Sequence, residues 1–108
     1  MTAARILDRV RRAAAQRLLF LPHAVRQMSR PERMITPSEV RSVVLDGEVI
    51  EDYPEDRRGH SCLIYGRGEQ RRRIHIVCAP TDEYLAIITA YLPSENEWRE
   101  DFKTRKTK

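Results

Sequence analysis

The residues of this chain best suited to chemistry lie on two short segments that alternate in character, Arg73-Ile74-His75-Ile76-Val77-Cys78 and Ala86-Ile87-Ile88-Thr89-Ala90-Tyr91. Successive side chains of a strand point to opposite faces. Ile74, Ile76 and Cys78 therefore share one face, opposite Arg73, His75 and Val77. On the last strand Ala86, Ile88 and Ala90 oppose Ile87, Thr89 and Tyr91. Pairing the two strands gathers Arg73, His75, Thr89 and Tyr91 on one polar, partly basic floor. Those types suit acid–base chemistry on an anionic substrate and, if the substrate is RNA, metal-independent cleavage in which the 2′-hydroxyl attacks the neighbouring phosphate. One group must take a proton, another must give one, and the added negative charge must be held. Imidazole titrates near neutrality, and a planar guanidinium grips phosphate oxygens at two points. His75 is thus a catalytic candidate, with Tyr91 at the leaving oxygen, Thr89 on a phosphate oxygen and Arg73 as an RNA contact. On an open floor, truncating His75 should cost activity and little stability. The competing readings are a packed structural histidine between Ile74 and Ile76, a tyrosine filling the sheet surface, and a solvated arginine run at 71–73.

Helices must precede these strands. Ile6, Leu7, Val10, Ala14 and Leu18 recur at helical spacing among arginines, predicting a basic amphipathic helix over residues 4–19. Pro22 can open a second helix through Met28, which Pro31 stops. Thr36, Pro37 and Glu39 have the spacing of a helix cap, first-turn proline and capping-box acid, with Val40, Val43 and Val44 as the buried stripe. Gly47 stands where a left-handed residue would end that helix. Beyond it, Glu48 to Tyr53, Cys62 to Tyr65, Arg72 to Ala79 and Tyr84 to Leu92 are rich in Val, Ile and Tyr and separated by turn residues. The expected fold is α+β, with N-terminal helices packed on one face of a four-stranded, mostly antiparallel sheet.

A chain of 108 residues with 41% hydrophobic content supports one modest core. Its net charge of +4 is unevenly spread: residues 1–47 carry nine basic and four acidic groups, and residues 67–79 four against one. Such patches can attract a polyanion, although a solvated face is the commoner meaning of a charge run. The longest apolar run, Leu18 to Pro22, falls far short of the ~20 residues that cross a bilayer. The first residues lack the apolar stretch of a secretory signal. A cytoplasmic location and no membrane partner are expected. Cys62 and Cys78 then read as buried free thiols. His60, Cys62, His75 and Cys78 are zinc-ligand types, but His75 and Cys78 point to opposite faces, so no metal site and no cofactor is expected.

His23-Ala24, Gly47-Glu48-Val49-Ile50-Glu51-Asp52-Tyr53-Pro54, His75-Ile76-Val77 and Ile87-Ile88-Thr89-Ala90-Tyr91, followed by Pro93, Trp98 and Arg105, together resemble the bacterial family called domain of unknown function 4258. That family is similar to the RelE, BrnT and MqsR group of mRNA-cleaving toxins. The resemblance implies a RelE-like toxin domain over residues 20–108 behind a basic helical extension at 1–19. It also implies a toxin-type endoribonuclease of a toxin-antitoxin system, acting on RNA, ribosome-bound mRNA included. A cognate antitoxin, of the zinc-finger kind, would be its partner. The family pattern of His-Ala, Arg-Met and Glu-Arg-Gly-Ile-Thr stands here as His23-Ala24, Gln27-Met28 and Glu32-Arg33-Met34-Ile35-Thr36, with Arg30-Pro31 inserted. His23 joins the catalytic candidates, against a capping or packing role. Arg26, Arg33 and Tyr53 join Arg73 as RNA-binding candidates, Arg26 lying one residue and about 100° of helix away from the family arginine. Trp98 is expected to pack the tail onto the sheet. The alternative function is a catalytically inactive RNA- or protein-binding module of the same fold.

Overall fold

The structure, a computed structural model, describes residues 3–106; residues 1, 2, 107 and 108 of the expected segments 1–19 and 20–108 lie outside them. Three α-helices, α1 (Ala3–Gln16), α2 (Pro22–Met28) and α3 (Pro37–Asp46), accompany five strands: β1 (Leu18–Phe20), β2 (Glu48–Tyr53), β3 (Ser61–Arg67), β4 (Arg73–Pro80) and β5 (Leu85–Tyr91). The strands form one sheet in the order β1-β5-β4-β3-β2, antiparallel throughout except for the parallel pair β1 and β5. The architecture is α+β.

One apolar core joins the helices to one sheet face. Ile6, Val10, Ala13 and Ala14 of α1, Ala24 and Met28 of α2, and Val40, Val43 and Val44 of α3 pack on Cys62, Ile64, Ile74, Ile76, Cys78, Leu85, Ile87 and Ala90. The leading helix is therefore part of this core, its amphipathic stripe buried as the 3.6-residue period dictates. Arg11 of α1 secures it further, donating to the carbonyls of Val44 (3.3 Å) and Gly47 (3.0 Å).

The sheet has five strands rather than four. The apolar run after α1 continues in composition but not in conformation. Arg17 N still donates to Ala13 O, whereas Arg17 O accepts from Leu85 N at 2.8 Å and Leu21 N donates to Ile87 O at 3.1 Å. The helix thus ends at Gln16, and Leu18–Phe20 becomes an edge strand. A pairing partner some 67 positions away in the chain leaves no local signature.

At Thr36 the capping box forms with both bonds at 3.1 Å, Glu39 N to the Thr36 hydroxyl and Thr36 N to the Glu39 carboxylate. Gly47, by contrast, is extended (φ −83°, ψ −172°) rather than left-handed. It is required for closeness: a Cβ there would lie 2.5 Å from both the Tyr65 and the Val43 carbonyl oxygens. Glu39, 3% exposed, also accepts from Glu69 N (2.8 Å) and from Arg72 (2.9 and 2.7 Å). Arg72 in turn donates to the carbonyls of Arg33 (2.6 Å) and Met34 (2.8 Å). This half-buried pair pins the loop between α2 and α3, and with it Arg33.

Alternation along β5 is interrupted. Val77 pairs with Thr89 but Cys78 pairs with Ile87, so Ile88 is an extra residue that shifts the phase. Leu85 and Ile87 consequently face the helices, not Ala86 and Ile88, whereas Ala90 on the core side and Thr89 and Tyr91 on the other side lie as alternation predicts. Cys62 and Cys78 are paired across β3 and β4 as buried free thiols. A hydrogen bond with Cys62, then burial, raises the Cys78 thiol pKa.

Candidate functional site

The face opposite the helices carries a row set by register: Tyr65 pairs with His75, and His75 with Tyr91. This face is not an open floor. After Tyr91 the chain turns back as a strap over it, with Trp98 bridged to Arg105 and only 2% exposed, so the expected packing of the tail by Trp98 is observed. The His75 ring stands edge-on to Tyr65, Tyr91 and Trp98, with centroids 5.7, 5.3 and 4.4 Å away, and is fully buried. Its expected place on an accessible surface is therefore corrected; alternation identified the face but carried no information about what folds over it.

His75 has a defined protonation pattern. Its Nε2 lies 2.7 Å from the Phe102 carbonyl oxygen, which can only accept, so Nε2 bears the proton. Nδ1, 3.2 Å from the Tyr91 hydroxyl, is then the acceptor and Tyr91 the donor. Burial holds the His75 pKa below 6.5, against the raising effects of the Phe102 bond and Glu51. Burial likewise pushes the Tyr91 phenol up to about 12. The pair is neutral, with the phenol proton turned inward and an oxygen lone pair left toward the adjoining surface. His75 thus positions Tyr91.

Beside the strap is an open cleft of about 420 Å³, lined by His23 and Gln27 of α2, Arg33, Thr89 and Tyr91 of β5, and Glu97 and Arg105 of the strap, with Leu92, Ser94 and Trp98 completing it. His23 and Gln27, four residues apart, project from one side of α2. Gln27 accepts a 2.6 Å bond from Arg33, so α2 holds the arginine of the following loop. Arg105 is bidentate on Glu51 (2.8 and 3.1 Å) and stacks 4.7 Å over Trp98. The Tyr53 hydroxyl donates to the same Glu51 carboxylate. Burial, then that bond, pushes the Tyr53 phenol up to about 12. The Glu51 bond raises the Arg105 pKa still further, so this guanidinium is a fixed cation.

The structure thus brings together His23, Arg33, Thr89 and Tyr91 and leaves His75 beneath them. Three RNA-binding candidates lie elsewhere. Arg26 is exposed on α2 but turned from the cleft that its neighbours His23 and Gln27 line. Arg73 stacks 4.6 Å over Phe102 and lines a second cleft across the strap, with Arg99 and Lys106. Tyr53 supports Arg105 through Glu51 instead of lining the cleft. Sequence reasoning missed Gln27, Glu97 and Arg105 as cleft residues; Arg105 belongs to the tail motif, but its return to Glu51 of β2 is a long-range contact. Among the described residues no group of three or more His, Cys, Asp or Glu side chains is arranged to hold a metal, and no helix is long and apolar enough to cross a membrane.

No curated protein and no solved structure shows significant similarity to the chain. A family model does match, over residues 20–92, a span that includes His23, Arg33, Thr89 and Tyr91 of the cleft and ends just before the strap that carries Arg105. On the strength of that match across most of its length, the chain belongs to the family described as domain of unknown function (DUF4258).

Proposed function

We propose that the protein is a toxin-type endoribonuclease with a RelE-like domain that cleaves RNA in the cytoplasm without a metal, at the cleft of His23, Arg33, Thr89, Tyr91 and Arg105. The observation that carries this reading is the convergence in one cleft of an exposed imidazole, a phenol and two anchored guanidiniums. In this mechanism Tyr91 accepts the 2′-hydroxyl proton while its own proton passes to His75 Nδ1. The 2′-oxygen bonds to phosphorus, and the bond to the 5′-oxygen breaks as His23, in its protonated form, gives that oxygen a proton. The products are a 2′,3′-cyclic phosphate and a 5′-hydroxyl. Arg33 and Arg105 hold the phosphorane charge and Thr89 one of its oxygens. The cleft has a single lining carboxylate, Glu97, whereas Mg²⁺ is ordinarily held by several oxygen ligands. A cognate antitoxin belongs to the same proposal. The test is incubation of the purified protein with single-stranded RNA in excess EDTA. Cyclic-phosphate ends are expected; cleavage that EDTA abolishes and Mg²⁺ restores would overturn the mechanism, and RNA binding without cleavage would leave a binding module.

A further inference from the structure

The two edges of the sheet differ. The β2 edge bears Glu48, Glu51 and Asp52, has an extra residue at Ile50, and is tied to the strap through Glu48 with Lys103 and Glu51 with Arg105. Charges and bulges of this kind protect an edge from further pairing. The β1 edge has neither: its residues are Leu18, Leu19 and Phe20, in regular register with β5. Among the described residues β1 has β5 as its one neighbouring strand. The bonds from Leu85 N to Arg17 O and from Leu21 N to Ile87 O fix which backbone groups face β5. In a parallel ladder these belong to alternate residues, so Arg17, Leu19 and Leu21 face inward. The N–H and C=O groups of Leu18 and Phe20 point outward.

Beside those groups lies an open cleft of about 450 Å³ between β1 and the start of α3, lined by Leu18, Phe20 and Pro37 on its apolar side and by Ser38, Arg17 and Arg41 on its polar side. Gln16, also on its wall, is turned to the Asp82 carbonyl at 2.8 Å. Two guanidiniums and no carboxylate line this cleft. We infer that the β1 edge is a docking site for an extended, acidic segment of a partner protein. The segment adds a sixth strand by pairing with Leu18 and Phe20, places alternate apolar side chains against Leu18, Phe20 and Pro37, and sets a carboxylate on Arg17 or Arg41. Backbone pairing supplies affinity and the pockets supply selectivity, as in strand addition generally. The inference uses no residue of the His23 cleft and stands apart from the endoribonuclease reading.

The experiment titrates the ¹⁵N-labelled full chain with a blocked decapeptide of alternating valine and glutamate, and with its valine-lysine counterpart. The acidic peptide should slow exchange of the Leu18 and Phe20 amides and bind at least about tenfold more tightly than the basic one. Leu18→Pro removes an outward N–H while leaving Arg17 O and Leu21 N on β5, and should weaken binding about fivefold. Arg41→Glu changes no backbone group and should reverse the peptide preference. Equal binding of the two peptides, or acidic-peptide binding without protection of Leu18 and Phe20, would overturn the inference. So would protection that grows with protein concentration in the absence of peptide, because the occupant would then be a second copy.

Discussion

Replacing His75 with alanine should strike stability first. The ring is fully buried, contacts three aromatic rings and has both nitrogens hydrogen-bonded. Emptying a buried site of this size costs about 2 to 4 kcal/mol. Leaving the Phe102 carbonyl without its donor adds about 1 to 2 kcal/mol. For a chain of this length, where 1 kcal/mol moves the melting temperature by about 4 °C, the melt should fall by about 12 to 24 °C. The pH dependence has a definite sign. Burial places the folded-state pKa of His75 below the 6.5 of an unperturbed imidazole. Below pH 6.5 the unfolded chain therefore binds the proton more readily, and this contribution, present above 6.5, is lost as pH falls toward the folded pKa. His75→Gln retains a donor toward Phe102 and cannot titrate, so its stability deficit relative to the parent should narrow as pH drops below 6.5. Melting curves of parent, His75→Ala and His75→Gln over that range provide the assay. A His75→Ala melt within about 3 °C of the parent, or a His75→Gln deficit independent of pH, would refute the buried, neutral assignment.

Gly47→Ala should destabilise by about 1 to 3 kcal/mol despite an ordinary φ, because its Cβ would lie 2.5 Å from two carbonyl oxygens; chemical denaturation measures this, and a neutral result would contradict the close approach. Glu39→Gln should cost about 2 to 3 kcal/mol by leaving Arg72 without its ionic partner. Although burial raises the Glu39 pKa, the Arg72 and backbone bonds outweigh it and hold it below 4.5, so its contribution is present above that pH and lost as pH falls through the lower folded value. Acid titration of parent and variant stability reads the difference, and curves that remain parallel below pH 4.5 would count against the ion pair.

Local chemistry was the legible part of the sequence. Thr36, Pro37 and Glu39 announced the start of α3 because a cap is made by residues three apart, and the Pro22–Met28 helix was bounded by its own prolines. Alternation placed Ile74, Ile76 and Cys78 in the core and Thr89 and Tyr91 on the opposite face. It failed at Ile87 and Ile88, where one extra residue inverts the phase without a glycine or proline to mark it. Gly47 was visible as special but for the wrong reason, since glycine type alone does not separate a left-handed backbone from a close approach. The parallel pairing of β1 and the return of the strap over His75 depend on contacts across the chain, which is why a residue of promising type proved to be buried. His23 and Arg33, candidates from the helical half, are the ones the fold brings beside Tyr91.

The most direct test of the cleft as a cleavage site is the rate at which His23→Ala cuts single-stranded RNA in EDTA, measured beside its melting temperature. His23 is exposed and near the start of α2, so its loss should leave the melt within about 2 °C of the parent. Cleavage should fall by about 10²- to 10⁴-fold, the usual contribution of a positioned acid or base. A His23→Ala protein that melts with the parent and cuts RNA at the parental rate would contradict the account.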